Sequence, residues 1–363
     1  MLKFKFKVYN PCWQSVDCAH DWGFSPDEIT TDLAVSLQQE YRVTAVRPFY
    51  NRTWIFSYDP AACHSDLSSF DLVLISDPEY YSQQEIEQWC KENRIKNYLI
   101  ALGGRHEKNF LDPERMLYRN FYIERFVKGA TFVDTRADIK PYLFDVLLGA
   151  RRANRDYVML GLAKNNLLDQ CIVTYRDCFP GSVINHQNQE FAEIFKGTPL
   201  AWPYVSPHLD PSWEVAANVN NQVSFIVPVG IYQRTYYSIL TETLGTGGGF
   251  FMSEKSIKAF YAKRIFVLFG NQYHLKRLRE QGFQTFDSVL DESYDNCPLD
   301  FERFDLAMQQ VVHLSRQDPV QIQNKLQAVL DHNHARLLEL VPKAQNQMRE
   351  LVMTNTPNTA WLT

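Results

Sequence analysis

Apolar runs of strand length alternate with helix-like segments along most of this chain, and this alternation limits the possible folds more than any other feature. In the first half, FDLVLIS (70–76) and NYLIAL (97–102) lie on either side of SQQEIEQWCKENRI (82–95), whose capping signals predict a helix. Ser82 is placed to cap that helix, and Glu85 follows three residues later as in a capping box. This strand–helix–strand rhythm predicts a parallel sheet with helices on its faces.

A second round of the same rhythm begins near residue 140, and from about residue 300 the pattern is helical alone. The strand-like runs of the second round are PYLFDVLLG (141–149), CIVTYRD (171–177), VSFIVPV (223–229) and RIFVLFG (264–270). The segment NQYHLKRLREQGF (271–283) predicts a helix that stops at its glycine, Gly282. We therefore predict an α/β protein of two Rossmann-like lobes with C-terminal helices. The predicted boundaries are 1–140 for the first lobe, 141–299 for the second, and 300–363 for helices that pack across the lobes.

Polar residues follow two of the predicted strands of the first lobe. Asp77 and Glu79 come directly after FDLVLIS, and His106 lies shortly after NYLIAL. Ligands of open parallel sheets bind beside the carboxyl ends of the strands. Because a carboxylate or an imidazole there can deprotonate a hydroxyl, all three residues are candidate general bases. The alternative is that they form turns or cap helices.

The segment GARRANRD (149–156) places three arginines between a predicted strand and a predicted helix. They are Arg151, Arg152 and Arg155. Guanidinium groups bind phosphate oxygens through paired hydrogen bonds, and helix N-termini attract anions. The segment is therefore a candidate diphosphate clamp. The alternative is that these arginines are solvated or paired with surface carboxylates.

The stretch TETLGTGGGFFMSEKSIKAF (241–260) contains three consecutive glycines but lacks the spacing of a phosphate-binding loop. It has no G-x-x-x-x-G-K-[ST], and a G-x-G-x-x-G pattern fails at Phe250. The glycines instead predict a flexible loop.

The candidate chemistry of this stretch lies just beyond the glycines. Ser253 is placed to cap a helix, and Glu254 and Lys255 follow in its first turn. A carboxylate there can accept sugar hydroxyls, and an ammonium group can neutralise a leaving diphosphate. The alternative is an ordinary helix start with a common Glu-Lys pair.

Two segments of this chain resemble a group of glycosyltransferase-like proteins of phages and bacteria. That group is similar to the α-1,3-fucosyltransferases. The first block is 241–296, with its T-E-T, the S-E-K-S helix start, an apolar strand, and G-F-x-T-F before an acidic tail. The second is GARRANRDYVMLGLAKNNLLDQCIVTY (149–175), and DHNHARL (331–337) also belongs to the resemblance. TETL stands where the fucosyltransferases carry an Asn-rich segment, so the resemblance does not fix the donor sugar.

The resemblance implies a GT-B fold with the nucleotide-sugar in the C-terminal lobe and with no required metal. It implies that Glu254 contacts the sugars of the donor, and that Lys255 holds the diphosphate together with Arg152 or Arg155. Tyr175 and Arg234 are two further candidates, one as a wall of the nucleotide pocket and the other as an additional cation.

The sequence thus predicts a metal-independent glycosyltransferase, without a cofactor, that moves a sugar from a GDP- or UDP-linked donor to a glycan or another hydroxyl acceptor. One alternative is a non-catalytic binding or structural protein of the same shape. Another is a phage transferase that acts on DNA bases. The formal net charge of −5 argues against nucleic acid as a partner, because duplex phosphates demand clustered cations.

Cysteine usage and hydropathy predict the compartment. The seven cysteines include no C-x-x-C pair, and no apolar run approaches the length of a membrane span. We therefore expect free thiols in a reducing cytoplasm, that of the host if the protein is viral. A cluster of acidic residues is expected to form a solvated helix end rather than a metal site: Asp287, Asp291, Glu292 and Asp295.

Overall fold

The structure is a computed structural model, and it divides into two compact units. One unit is Met1–Phe121 with Leu340–Thr363, and the other is Tyr122–Glu339. The predicted α/β class with parallel sheets is confirmed, whereas the arrangement as two lobes and the predicted boundaries stay predictions. The described residues are 43–46, 72–77, 83–102, 116–118, 123, 132, 139–149, 152–175, 204–207, 226–243, 245–246 and 249–355.

The first unit contains a sheet of four parallel strands in the order β1-β2-β3-β4. The helix α1 (Gln83–Glu92) connects β2 to β3, which confirms the helix that the capping signals predicted. It ends at Glu92, and Arg94, two residues later, adopts a left-handed φ of 54°. The strands are β1 (Val43–Val46), β2 (Leu72–Asp77), β3 (Tyr98–Leu102) and β4 (Met116–Tyr118).

The second unit contains a sheet of five strands in the order β7-β6-β5-β8-β9. All neighbouring strands are parallel except β7, which runs antiparallel to β6. Every residue of β6 and β9 is buried, which explains why both strands read as continuous apolar runs. The strands are β5 (Tyr142–Leu148), β6 (Cys171–Tyr175), β7 (Tyr204–Val205), β8 (Thr235–Thr241) and β9 (Ile265–Phe269).

The prediction of a strand over residues 223–229 is wrong at its described end. Ile226 and Val227 lie outside any strand, and the short helix α3 begins at Val229. Pro228 is its N-cap residue, and its carbonyl accepts the N–H of Tyr232 at 2.9 Å. Proline lacks the N–H that a central strand would need and suits a helix start, so the apolar run was misread.

The remaining helices follow the strands or end the chain. In the second unit, α2 follows β5, α4 follows β8 and α5 follows β9. The helix α5 ends at Glu280, and Gly282, just beyond it, has a φ of 88° and is the glycine stop that the sequence predicts. Among the described residues no helix is both long and apolar enough to cross a membrane. The helices are α2 (Ala153–Lys164), α3 (Val229–Tyr232), α4 (Glu254–Tyr261), α5 (His274–Glu280), α6 (Asp300–Leu314) and α7 (Pro319–Asn355), with 3₁₀ turns at Leu168–Gln170 and Glu292–Asn296.

The core of the second unit is rich in large aromatic side chains. Phe260 of α4 stacks on Phe283 with ring centroids 4.1 Å apart and packs edge-on against Phe266 of β9. Phe266 in turn meets Phe286 edge-on at 5.0 Å. Burial of each such ring contributes about 1.5–3 kcal/mol, so these contacts anchor α4 on the sheet.

A buried ion pair ties the strands together at the amino edge of this sheet, where β5, β8 and β9 begin. Arg264 Nη2 lies 2.6 Å from Asp145 Oδ1, and both side chains are at most 3% exposed. The hydroxyls of Thr235 and Ser238 donate to the same carboxylate oxygen at 3.0 and 2.9 Å. Burial raises the pKa of the Asp145 carboxyl, and the Arg264 charge and these hydrogen bonds offset part of that rise.

Candidate functional site

The carboxyl edge of the second sheet contains a topological switch point. From β5 the chain passes through α2 to β6 on one side, whereas from β8 it passes through α4 to β9 on the other side. Because β5 and β8 are parallel neighbours, α2 and α4 both begin at this edge. Open α/β sheets bind their ligands at such points. The predicted site residues Arg152, Arg155, Glu254 and Lys255 all lie at these two helix starts.

The helix α4 begins at the predicted cap, but a second acidic residue also occupies its N-terminus. Ser253 Oγ accepts the backbone N–H of Lys255 at 3.3 Å. The carboxylate of Glu242, the residue after β8, accepts the N–H of Ser253 at 3.2 Å and the hydroxyl of Ser256 at 2.5 Å. Glu242 is fully buried. A carboxylate of the chain therefore already satisfies part of the α4 N-terminus, where an anion would otherwise bind.

Glu254 and Lys255 form an ion pair with each other. The Lys255 ammonium lies 2.8 Å from Glu254 Oε1, and the two side chains are 15% and 14% exposed. The same ammonium donates to Ser253 Oγ at 3.3 Å. Burial by itself would raise the pKa of the Glu254 carboxyl, but the charges of Lys255 and Lys258 and the hydrogen bonds lower that pKa to about 2. Glu254 is thus held as a carboxylate.

Lys258 is a third charged residue of this helix, and the sequence analysis missed it. It follows Glu254 by four residues, one helical turn, and is only 8% exposed. Burial lowers the pKa of the Lys258 ammonium to about 8, although Glu254 acts to raise it and Lys255 lowers it further. The spacing E-K-x-x-K was visible in the sequence, but only the structure shows that this lysine is buried.

The start of α2 is joined to the segment that follows β8. Arg152 is the N-cap residue of α2, where its side chain makes no capping bond; its Nη1 donates instead to the carbonyl of Thr243. Asn154 Nδ2 donates to the carbonyls of Glu242 at 3.0 Å and Phe269 at 3.2 Å, so one amide holds the ends of β8 and β9. Arg155 is almost fully buried in the first turn of α2.

These contacts bring Arg152 to the strand end that leads into α4. Sequence reasoning missed the contributions of Asn154 and Glu242. Asn154 lies in GARRANRD and Glu242 is the central residue of T-E-T, but their contacts depend on residues distant in the sequence. Arg151 lies outside the described residues.

The described residues of the glycine-rich segment are held in place. Asn271 Nδ2 donates to the carbonyl of Gly249 at 2.8 Å, and Phe250 is buried against the ring of His274 at 4.7 Å. A Cβ on Gly245 would lie 2.3 Å from Asn154 Nδ2, so only glycine fits there. The expected loop flexibility is therefore not found at these residues.

Several buried polar atoms at this edge have no hydrogen-bond partner within the described part of the chain. They are Thr241 Oγ1, Asn271 Oδ1, Arg152 Nε and both ring nitrogens of His274. Burial lowers the pKa of the His274 imidazole, and the nearby Glu242 and Asp295 carboxylates oppose this. An unsatisfied buried polar group costs about 1–3 kcal/mol, and such groups cluster where a protein meets a ligand.

Of the two further candidates, Tyr175 lies at the carboxyl edge of the sheet and Arg234 does not. Tyr175 is fully buried and donates its hydroxyl to Asp156, so it joins β6 to α2. Arg234 directly precedes β8 and therefore lies at the amino edge of the sheet, away from Glu254. Its guanidinium stacks 5.3 Å above the ring of Tyr142.

Of the three candidate bases, the structure describes one. Asp77 is the last residue of β2 and is in register with Leu102 of β3, so it lies at the carboxyl edge of the first sheet. Glu79 and His106 lie outside the described residues. The role of all three as bases stays a prediction.

The expectation of a solvated acidic helix end is wrong for two of its members. Asp295 is buried and accepts the N–H groups of Leu275 and Lys276 at 2.8 and 2.9 Å, which caps α5. Glu292 accepts the N–H of Phe286 at 2.7 Å and pairs with Arg279. Across the described residues, no three His, Cys, Asp or Glu side chains form a group able to hold a metal ion.

Comparisons with known proteins give one weak likeness. No protein-family model matches the chain, and no curated protein matches it. The solved structure of T4 phage BGT in complex with UDP and Mn²⁺ is similar over 88% of this chain and 83% of its own, with 10% sequence identity and a TM-score of 0.36. A TM-score this low does not establish a shared fold. The resemblance to the glycosyltransferase-like proteins therefore stays a prediction, and the site is interpreted from its own geometry.

Proposed function

We propose that the second unit binds a nucleoside diphosphate-linked sugar at the carboxyl edge of its sheet, and that the protein transfers this sugar to a hydroxyl acceptor. The observation that carries the proposal is the ion pair of Glu254 and Lys255, 2.8 Å apart in the first turn of α4, beside the switch point between β5 and β8. Parallel sheets bind nucleotides at such points.

The charged residues at the two helix starts match the chemical groups of such a donor, which are a diphosphate and sugar hydroxyls. The start of α2 has no side-chain cap and carries Arg152, which suits phosphate oxygens. Lys255 is partly exposed in the first turn of α4, at the same edge of the sheet, and in this proposal its ammonium group binds the same diphosphate. Glu254, held as a carboxylate, can accept hydrogen bonds from the hydroxyls of a sugar or ribose. The α4 N-terminus contributes less, because Glu242 occupies part of it.

The proposed reaction breaks the bond between the anomeric carbon and the diphosphate oxygen. That oxygen leaves with the electron pair, the acceptor oxygen bonds to the anomeric carbon, and the acceptor proton passes to a base. Negative charge grows on the leaving diphosphate, so cations placed beside it stabilise the transition state. In this proposal Arg152 and Lys255 supply that charge, and metal independence stays an expectation.

The first test measures ligand binding and turnover. Calorimetry and thermal shift with UDP, GDP and CMP should show binding of one nucleotide class. Lys255→Ala should weaken nucleoside diphosphate binding about tenfold, the usual size for one charge-assisted contact. Lys164→Ala is a matched control, because Lys164 is exposed at the opposite end of α2. Unchanged binding and turnover of the matching nucleotide-sugar by both Lys255→Ala and Glu254→Ala would contradict the proposal.

A non-catalytic binding protein is a second candidate, and one observation favours it. Carboxylates of the chain contact the α4 start and its lysine, through Glu242 and Glu254. Such a protein would bind the nucleotide-sugar without consuming it. Incubation of the bound sugar donor with glycans, with duplex DNA and with water alone distinguishes the two candidates, since a transferase releases the nucleoside diphosphate.

A further inference from the structure

We propose that Glu242 is a positioning residue that holds the two ligand-binding helix starts in register with each other. The inference rests on the proposed function, in which Arg152 at the start of α2 and Lys255 at the start of α4 bind one diphosphate. Glu242 is fully buried and acts on the ligand only through these two helices.

Glu242 makes hydrogen bonds to three elements at the carboxyl edge of the second sheet. Its N–H donates to the carbonyl of Phe269, the last residue of β9, at 3.2 Å. Its carbonyl accepts a hydrogen bond from Asn154 Nδ2, in the first turn of α2, at 3.0 Å. Its carboxylate accepts the N–H of Ser253 on Oε2 at 3.2 Å and the hydroxyl of Ser256 on Oε1 at 2.5 Å. One residue therefore joins the starts of α2 and α4 to the end of the sheet.

At α4, the carboxylate of Glu242 fixes the turn that carries Lys255. The hydroxyl oxygen of Ser253 accepts the backbone N–H and the ammonium group of Lys255, each at 3.3 Å. Ser253 and Ser256, the two residues that donate to Glu242, thus lie on either side of Lys255 in the chain. The dipole of α4 places partial positive charge beside the carboxylate and stabilises it there. Loss of the carboxylate therefore releases the helix start on both sides of Lys255.

At α2, the backbone of Glu242 and Thr243 fixes the turn that carries Arg152. Arg152 Nη1 donates to the carbonyl of Thr243, and Asn154, two residues later, donates to the neighbouring carbonyl of Glu242. The fit is close, since a Cβ on Gly245 would lie 2.3 Å from Asn154 Nδ2. A shift of Glu242 is therefore transmitted to α2 as well as to α4.

An effect of the Glu242 charge on the ligand is the main rival explanation. A buried carboxylate near the diphosphate would repel it, so removal of the charge would strengthen diphosphate binding. Glutamine separates the two roles, because its amide can accept the N–H of Ser253 and donate to the hydroxyl oxygen of Ser256. Glu242→Gln therefore keeps both links to α4 without the charge, whereas Glu242→Ala removes both links and the charge together.

The test compares the Kd for a nucleoside diphosphate with the Kd for its monophosphate, measured by calorimetry on the full-length protein. The probes are UDP with UMP and GDP with GMP. A diphosphate needs Arg152 and Lys255 in register, whereas a monophosphate needs only one of them. Glu242→Ala should therefore lower the ratio of the monophosphate Kd to the diphosphate Kd about tenfold, and Glu242→Gln should keep it within about threefold of the wild type.

Two outcomes overturn the inference. A purely structural role of Glu242 would lower the urea midpoint and the fraction of protein that binds, but it would leave the Kd ratio of the folded protein unchanged in Glu242→Ala. A ratio that changes equally in Glu242→Ala and Glu242→Gln, in either direction, would show that the charge and not the hydrogen-bonded link is the cause.

A second variant and a control complete the experiment. If Glu242→Ala does not fold, Ser256→Ala gives the decision, because it removes one link to α4 and leaves the carboxylate in place. The same ratio should then fall about threefold, and an unchanged ratio overturns the inference. Glu280→Gln, exposed at the end of α5, is the matched control and should leave the ratio unchanged. A wild type that binds none of these nucleotides overturns the proposed function and the inference with it, whereas binding with an unchanged ratio in Glu242→Ala overturns the inference alone.

Discussion

The two edges of the second sheet differ in how completely their buried polar groups are hydrogen-bonded. At the amino edge, the Asp145 carboxylate accepts hydrogen bonds from Arg264 Nη2, Thr235 and Ser238. Arg264 Nε donates to the Ser238 hydroxyl, and Nη1 donates to the carbonyls of Tyr232 and Thr235. At the carboxyl edge, Thr241, Asn271 and His274 each keep at least one buried polar atom without a hydrogen-bond partner in the part of the chain that the structure describes.

The hydrogen bonds of the amino edge stabilise the fold, whereas the unsatisfied polar atoms of the carboxyl edge lower the free energy of unfolding. The side chains of the amino edge join three strands that are up to 119 residues apart in sequence, and their bonds satisfy one another. Tyr237, in the first half of β8, is an exception, since its hydroxyl has no partner among the described residues. Unsatisfied groups persist in proteins chiefly where a function requires them. The comparison therefore supports a ligand at the carboxyl edge and a structural role for the amino edge.

The largest effect is expected from removing the cation of the amino edge. Arg264→Met leaves the Asp145 carboxylate buried without its charge partner, which should lower the free energy of unfolding by about 3–5 kcal/mol. Urea denaturation measures this. Asp145→Asn in the same chain should recover part of the loss, because the unpaired charge is gone. A loss below about 1 kcal/mol would show that the amino edge is no more stabilising than an exposed ion pair.

An intermediate effect is expected from the charge of Glu254, and it depends on pH. The folded-state pKa of about 2 lies below the ordinary value of 4.5, so ionised Glu254 stabilises the fold above pH 4.5, and this stabilisation is lost as the pH falls towards 2. Wild type should exceed Glu254→Gln in stability by about 1–3 kcal/mol at pH 7, and the gap should narrow below pH 4.5.

Denaturation of both proteins between pH 7 and pH 3 tests this dependence. Glu280→Gln, an exposed position at the end of α5, is the matched control and should show no such narrowing. A gap that is constant with pH would mean that the charge of Glu254 is not stabilised by its lysines.

The smallest effect is expected at His274, and its sign is the informative part. Both ring nitrogens are buried without partners in the described structure, so His274→Leu removes polar groups that contribute no bond. Stability at pH 7 should stay within about 1 kcal/mol of the wild type or rise. A loss of several kcal/mol would indicate that His274 is bonded in the folded protein, and it would weaken the contrast between the edges.

Local signals in the sequence predicted most elements near the site. The apolar runs predicted β2, β3, β5, β6 and β9, Ser253 predicted the start of α4, and Gly282 predicted the end of α5. These signals act within a few residues, through side-chain spacing, capping hydrogen bonds and the φ preference of glycine. The apolar run ending at Val229 failed because hydropathy alone does not distinguish a strand from the approach to a short helix.

The sequence by itself determined that this chain alternates strands with helices and that Glu254 and Lys255 begin a helix. Only the tertiary structure decided which charges meet there. It placed Glu242 on the N-terminus of α4, buried the side chain of Lys258, and put Arg234 at the opposite edge of the sheet. The physical reason is that helix starts depend on neighbouring residues, whereas burial and pairing depend on strand order, which brings Arg152 to Thr243 across 91 residues of chain.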